Sequence, residues 1–188
     1  SGQTYISLSD SIDSYNQCWI RYSNNTFSVV LGYEDWPVVS VTWFGSKAFA
    51  EYYGWDLPRE AEWEYACRSG QSYKYGTNDG KISSFQANYD YYGSVGPYHP
   101  VIVGSYRSNS FGLGDMSGNV WEWCSDWYGV YDTLAATDPT GPQSGALKVI
   151  RGGGWYGTDW VCRSTYRSPY TPGIGSLMIG FRVVSRQL

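Results

Sequence analysis

Everything from residue 71 onward lacks a helical period, and this long non-helical half constrains the fold more than any other feature of the chain. It is rich in Gly, Ser, Asn, Tyr and Trp. Only short stretches near 119–124, 148–151 and 179–184 read as strands. So much loop normally counts against an ordered domain. Here ten Trp and nineteen Tyr in 188 residues supply a reason for order. Large rings can fill the gaps between irregular segments while their NH and OH groups reach polar partners. The length fits one domain, residues 1–188, with one sizeable core.

The first part of the chain is more regular. Residues 17–31 alternate around Ser23-Asn24-Asn25-Thr26, which reads as a hairpin tip. Pro37-Val38-Val39-Ser40-Val41-Thr42-Trp43 then leads into a helix whose stripe is Gly45, Ala48, Phe49 and Tyr52, with Gly54 ending it. Pro58 opens a second helix, Glu60 and Glu62 favour its positive end, and Gly70 closes it, with Trp63, Ala66 and Cys67 facing inward. Two early helices followed by short strands and long loops make an α+β pattern.

Charge and residue counts remove several functions. With 13 basic against 17 acidic residues the chain lacks the basic stripe of a nucleic-acid binder. No apolar run approaches a membrane span, and no charged-then-apolar leader opens the chain. Cys18, Cys67, Cys124 and Cys162 form no CxxC pair, which argues against a zinc knuckle. Cys67 and Cys124 lie in segments that read as buried, where Cys acts as a small hydrophobe. The single histidine, His99, cannot supply a multi-histidine iron site. A hydrolytic triad would also have to use it, and no Gly-x-Ser-x-Gly elbow is present. Glu34, Asp35, Asp126 and Asp132 show no spacing that sets two carboxylates across a cleft.

Four ordered blocks are more specific. They are Pro37 to Trp43, Leu57-Pro58-Arg59-Glu60-Ala61-Glu62-Trp63-Glu64-Tyr65-Ala66, Phe111-Gly112-Leu113-Gly114-Asp115-Met116-Ser117-Gly118-Asn119-Val120-Trp121-Glu122-Trp123, and Arg151-Gly152-Gly153-Gly154-Trp155 with Gly180-Phe181-Arg182. Together they resemble the formylglycine-generating-enzyme family. The resemblance implies a C-type-lectin-like fold with two helices, a small twisted antiparallel sheet and long ordered loops. Residues 1–36 do not resemble the family's usual start.

The family's oxidising enzymes carry a pair of cysteines before Gly-Phe-Arg that bind copper. Counting back from Gly180, those positions fall on Asp159 and Ser164, with Cys162 between them. A single thiol cannot form the two-thiolate site that Cu(I) favours. The expectation is therefore a domain that is not an enzyme and requires no cofactor. The resemblance does imply a structural calcium loop, with Asp115 and Glu122 giving carboxylates and Gly118 and Val120 giving carbonyls. A second such loop would fall near Asn88-Tyr89-Asp90.

Residues 150–184 carry the functional expectation. Their frame is like the family's, while Tyr156, Gly157, Thr158, Asp159, Val161, Ser164, Thr165, Tyr166, Ser168, Tyr170, Gly173, Ile174, Ser176 and Leu177 resemble the exchangeable positions in variable proteins of diversity-generating retroelements. Those proteins use the same fold as a ligand-binding display. No Lys or Glu follows Lys148, as adenine randomisation of Asn codons would give. Tyr supplies contact area at low entropy cost while Ser, Gly and Thr adapt around it. Arg163 and Arg167 read as frame. The expected partner is a macromolecule, most simply a protein, met at a cell surface or virion.

Overall fold

The computed structural model describes residues 2–8, 18–89, 97–131 and 137–186. An N-terminal hairpin pairs β1 (Ile20–Ser23) with β2 (Thr26–Val29), turning at Asn24 and Asn25, which both take positive φ. Helix α1 (Trp43–Tyr52) and helix α2 (Glu60–Arg68) follow. The remaining strands are β3 (Trp121–Trp127), β4 (Lys148–Arg151), β5 (Arg167–Tyr170) and β6 (Ile179–Gly180), in the order β5-β4-β3-β6. The β3–β4 and β4–β5 pairs are antiparallel, as expected, but β6 runs parallel to β3.

Local chemistry explains both helix starts. The Thr42 hydroxyl accepts from Gly45 N at 3.1 Å, capping α1. At α2, Arg59 N donates to Glu62 Oε2 at 2.8 Å, and Glu60 N donates to Asp126 Oδ2 at 2.7 Å. A carboxylate thus sits on the positive end of the helix dipole. The inward face of α2 is the expected one, with Trp63 and Cys67 buried. That of α1 is not. The structure buries Ser46 and Ala50 and turns Phe49 and Tyr52 outward. The reason lies at Gly45, where an added Cβ would stand 2.1 Å from the Tyr5 carbonyl oxygen. The N-terminal segment lies against that flank and sets the roll of the helix.

Two buried clusters flank the sheet. One gathers Val41, Leu57, Trp123, Ile150 and Ile179, and the other Trp63, Cys67, Met116, Cys124 and Val149. The loops are held by side chains that substitute for ladder hydrogen bonds. Asn119 Oδ1 accepts from Val101 N while its Nδ2 donates to Val101 O. Asn109 Oδ1 accepts from the amides of Phe111 and Leu113 while its Nδ2 donates to Ala66 O. Ordered loops here follow from buried amides as much as from packed rings.

Candidate ligand-binding face

Arg151 organises the C-terminal segment. Its side chain is fully buried at the end of β4. The guanidinium donates to the carbonyls of Ser164 and Tyr166 and to Glu64, and faces the ring of Trp63. One cation therefore ties residues 164–166 to α2. Gly153 has φ +70°, and a Cβ there would meet Cys162 Sγ at 2.7 Å. Only glycine lets the chain pass beneath the 3-10 turn of Asp159–Cys162. Ser117 Oγ donates to Cys162 O at 2.8 Å and closes the turn from the other side.

On this base the expected positions divide by location. Tyr156, Thr158, Asp159 and Thr165 are exposed, and Gly157 and Val161 are half-buried beside them. Gly157 touches Val161, so residues 156–161 form one compact projection. Ser164 is fully buried, with Oγ donating to Tyr73 O and N donating to Lys74 O, both at 2.8 Å. It anchors the loop rather than facing a ligand. Tyr166 packs its ring 5.9 Å from Trp121. Tyr170 meets Trp123 edge-on at 5.7 Å and belongs to the core, while Ser168 opposes Ile150 within the sheet. Gly173 and Ile174 are exposed on a separate turn. The half-buried Ser176 holds that turn, with its carbonyl accepting from Ser40 N, and Leu177 is half-buried after it.

The sequence reading missed the most prominent group on this projection. Trp160 is 55% exposed, and the Arg163 guanidinium lies 3.5 Å from the centroid of its ring. That contact presents an indole stiffened by a cation. Beside it Tyr75 donates to Asp159 Oδ2 at 2.9 Å, and Lys74 lies over the Tyr75 ring. Trp155 stacks edge-on with Tyr156, and neither Trp155 Nε1 nor Arg163 Nε finds a hydrogen-bond partner among the described residues. The Trp-x-x-Arg spacing was the available signal.

The calcium set does not fit. Glu122 Oε2 accepts from Trp63 Nε1 at 2.6 Å and from Arg182 Nε at 2.5 Å, and Oε1 accepts from Arg182 Nη2 at 2.6 Å. A cation would have to displace that guanidinium. Asp115 Oδ2 accepts from Gly104 N at 2.7 Å, and burial, with Glu122 nearby, raises its carboxyl above the usual range. Gly118 donates its N to Gly152 O, and Val120 packs against Gly180. These contacts join three of the sequence blocks without metal. The other expected loop differs. Asn88 Oδ1 is a buried acceptor with no partner among the described residues, while Nδ2 donates to His99 O. Such an oxygen suits a hard cation or an ordered water. Asp90 lies outside the described residues, as does Asp132.

A copper ion fits no better at the positions expected for thiols. Asp159 is held by Tyr75 and Ser164 is inside the fold. Cys162 is buried, and loss of water pushes its thiol up to about 12, where thiolate is scarce. Among the described residues no three His, Cys, Asp or Glu side chains gather as a metal set. No helix among them is long and apolar enough to cross a membrane.

The Sulfatase-modifying factor enzyme 1-like domain matches residues 4–187. A formylglycine-generating enzyme of Streptomyces coelicolor is 39% identical over 170 residues, covering 82% of this chain and 54% of the relative. Serine/threonine-protein kinase pkn1 of Chlamydia pneumoniae is 40% identical over 157 residues, covering 80% of this chain and 24% of that protein. The chain thus spans about half the length of the first relative and a quarter of the second. Among solved structures, Treponema denticola variable protein 1 superposes with a TM-score of 0.72 at 26% identity, covering 83% of this chain and 74% of the other. The expectation that the chain stands outside the enzymes is overturned by the formylglycine-generating relatives, which match most of it. With this fold and a match along nearly its whole length, the chain belongs to the sulfatase-modifying factor enzyme 1-like family.

Proposed function

We propose that this domain binds a macromolecular ligand, most simply another protein, through the projection formed by residues 155–165. The observation that carries this reading is the contrast between Trp160, Tyr156, Thr158, Asp159 and Thr165 at the surface and Ser164, Arg151 and Gly153 locked beneath them. Exposed rings on a rigid loop give contact area at little ordering cost, and small polar neighbours adjust hydrogen bonds around them. The likeness to a variable protein supports a diversified version of this surface. Its test lies in the DNA beside the gene. A near-copy of the codons for residues 150–184, differing mainly at adenines, beside a reverse transcriptase gene supports diversification. Absence of such a repeat leaves an invariant binding module.

A second reading follows from the 39% identity to a formylglycine-generating enzyme: that this domain takes part in generating formylglycine in a polypeptide. The same projection would then receive a polypeptide substrate. Copper titration with thiol-dependent oxygen uptake separates the two. Tight Cu(I) binding with turnover favours the oxidase. Absence of both leaves the binding reading in place.

A further inference from the structure

A cleft of about 810 Å³ lies between the outer face of α2 and the segments 129–131 and 139–142, apart from the projection at residues 155–165. That volume falls within the roughly 300–1,000 Å³ of small-molecule sites. Ala61, Glu64, Tyr65 and Arg68, which share one helix face, form one wall. Arg167 stiffens the other. Its Nη1 donates to Gly129 O at 2.6 Å, and its guanidinium lies 4.4 and 4.1 Å from the ring centroids of Tyr128 and Tyr131. Both walls are therefore set before a ligand arrives.

Asp126 lines this cleft at 5% exposure and differs from the other carboxylates there. Glu60 accepts from Arg167 on both oxygens, at 2.7 and 2.6 Å, and Glu64 accepts from Arg68 at 2.9 Å and from Arg151. Asp126 forms no ion pair among the described residues. Its Oδ2 accepts from Glu60 N and Ser125 Oγ, and its Oδ1 has no donor among them. Lys148 feels its charge but donates to Ser125 O from between two indole rings. Burial, with Glu60 beside it, raises the Asp126 carboxyl above the usual range. Gly141 borders Oδ1 with φ +68°, and a Cβ there would stand 3.2 Å from that oxygen. Glycine keeps it open.

We propose that the cleft binds a primary ammonium carried on an apolar body, with the ammonium on Asp126 Oδ1 and the body lying from Ala61 to Tyr65. A buried carboxylate oxygen without a donor is costly, and an ammonium supplies both the donor and the missing charge. An anion would be repelled there, and a neutral hydroxyl would leave the charge unbalanced. Glu60 N rests on Asp126, so Tyr65, five residues on, stands about 7.5 Å further along the helix axis. Ala61, small and one turn before Tyr65, leaves room between them. The Tyr65 ring is 64% exposed and offers its surface to the apolar end. Such an ammonium can belong to a free arylalkylamine or to a lysine of another protein.

Isothermal titration of the full chain with 2-phenylethylamine, N-acetyl-lysine methylamide and the neutral 2-phenylethanol tests this. Saturable binding of an amine is expected, with the alcohol weaker by at least about tenfold. Phenylethylamine ahead of the lysine derivative assigns a free amine, and the reverse order assigns a protein lysine. Asp126→Asn keeps an oxygen to accept from Glu60 N while removing the charge, so it should fold and lose at least about tenfold in affinity. Tyr65→Ala, which alters an exposed ring, should lose about threefold for phenylethylamine. A wild type that binds neither amine overturns the inference. So does an alcohol that binds as well as the amines, and so does wild-type affinity in either variant. If Asp126→Asn unfolds, the Tyr65→Ala result decides alone.

Discussion

Two buried cations show what single residues do in this molecule. Arg151 satisfies two loop carbonyls and Glu64 Oε2 at once and lies 3.5 Å from the buried Glu60 carboxylate, so Arg151→Met leaves two carbonyls without their donor and takes the buried cation from beside Glu60, while Arg68 still holds Glu64 Oε1. Breaking a buried pair from one side costs about 3–5 kcal/mol. Urea unfolding should show that loss in the midpoint with an unchanged slope, and a loss below about 1 kcal/mol would refute the role. Lys148 is buried between Trp43 and Trp127, with Nζ 3.9 and 3.8 Å from their ring centroids, and donates to Ser125 O. Burial lowers its pKa to about 8 from 10.5, with Asp126 opposing and Lys47 assisting. The unfolded chain then holds this proton more tightly than the folded one between about pH 8 and 10.5. Stability from this group therefore rises with pH through that window and is lost as pH falls to 8, below which it is flat. Unfolding of wild type against Lys148→Met across pH 7–10.5 should isolate the rise. Equal pH dependence in both would contradict it.

Elements show where sequence pattern succeeds and where context wins. The inward face of α2 was legible because Trp63 and Cys67 repeat at helical spacing. That of α1 was not, because the contact of Gly45 with Tyr5 comes from a segment far from the helix in pattern. Strand β5 escaped notice because Pro169 interrupts it. At the sheet edge the proline's missing donor faces away from β4, which the structure permits. Within the C-terminal segment, tyrosine content could not tell core from surface. Tyr170 packs on Trp123, while Tyr156 and Trp160 stand in solvent. Tyr170→Ala is expected to cost about 3–5 kcal/mol, and the Tyr156→Ala, Trp160→Ala double variant to stay within about 1 kcal/mol of wild type. Thermal unfolding of the pair checks this division, which fails if the order reverses.

The whole molecule was legible through its four motif blocks because they are contacts, not merely signatures. Glu122 joins Trp63 to Arg182, and Arg151 joins Glu64 to the C-terminal loop. That shared use also explains why calcium was expected where a guanidinium sits: the carboxylate at position 122 was visible in sequence, and its partner 60 residues on was not. On the proposed reading the same coupling would let the exposed projection vary, since Arg151, Gly153 and Ser164, which hold it, are buried beneath it. Sequencing the 3′ part of this gene from many cells of one population tests that claim most directly. The account predicts amino-acid changes concentrated at Tyr156, Thr158, Asp159, Thr165, Gly173 and Ile174, with Arg151, Gly153, Ser164 and Tyr170 unchanged. Changes spread evenly over exposed and buried positions, or no excess in this segment over the rest of the gene, would contradict it.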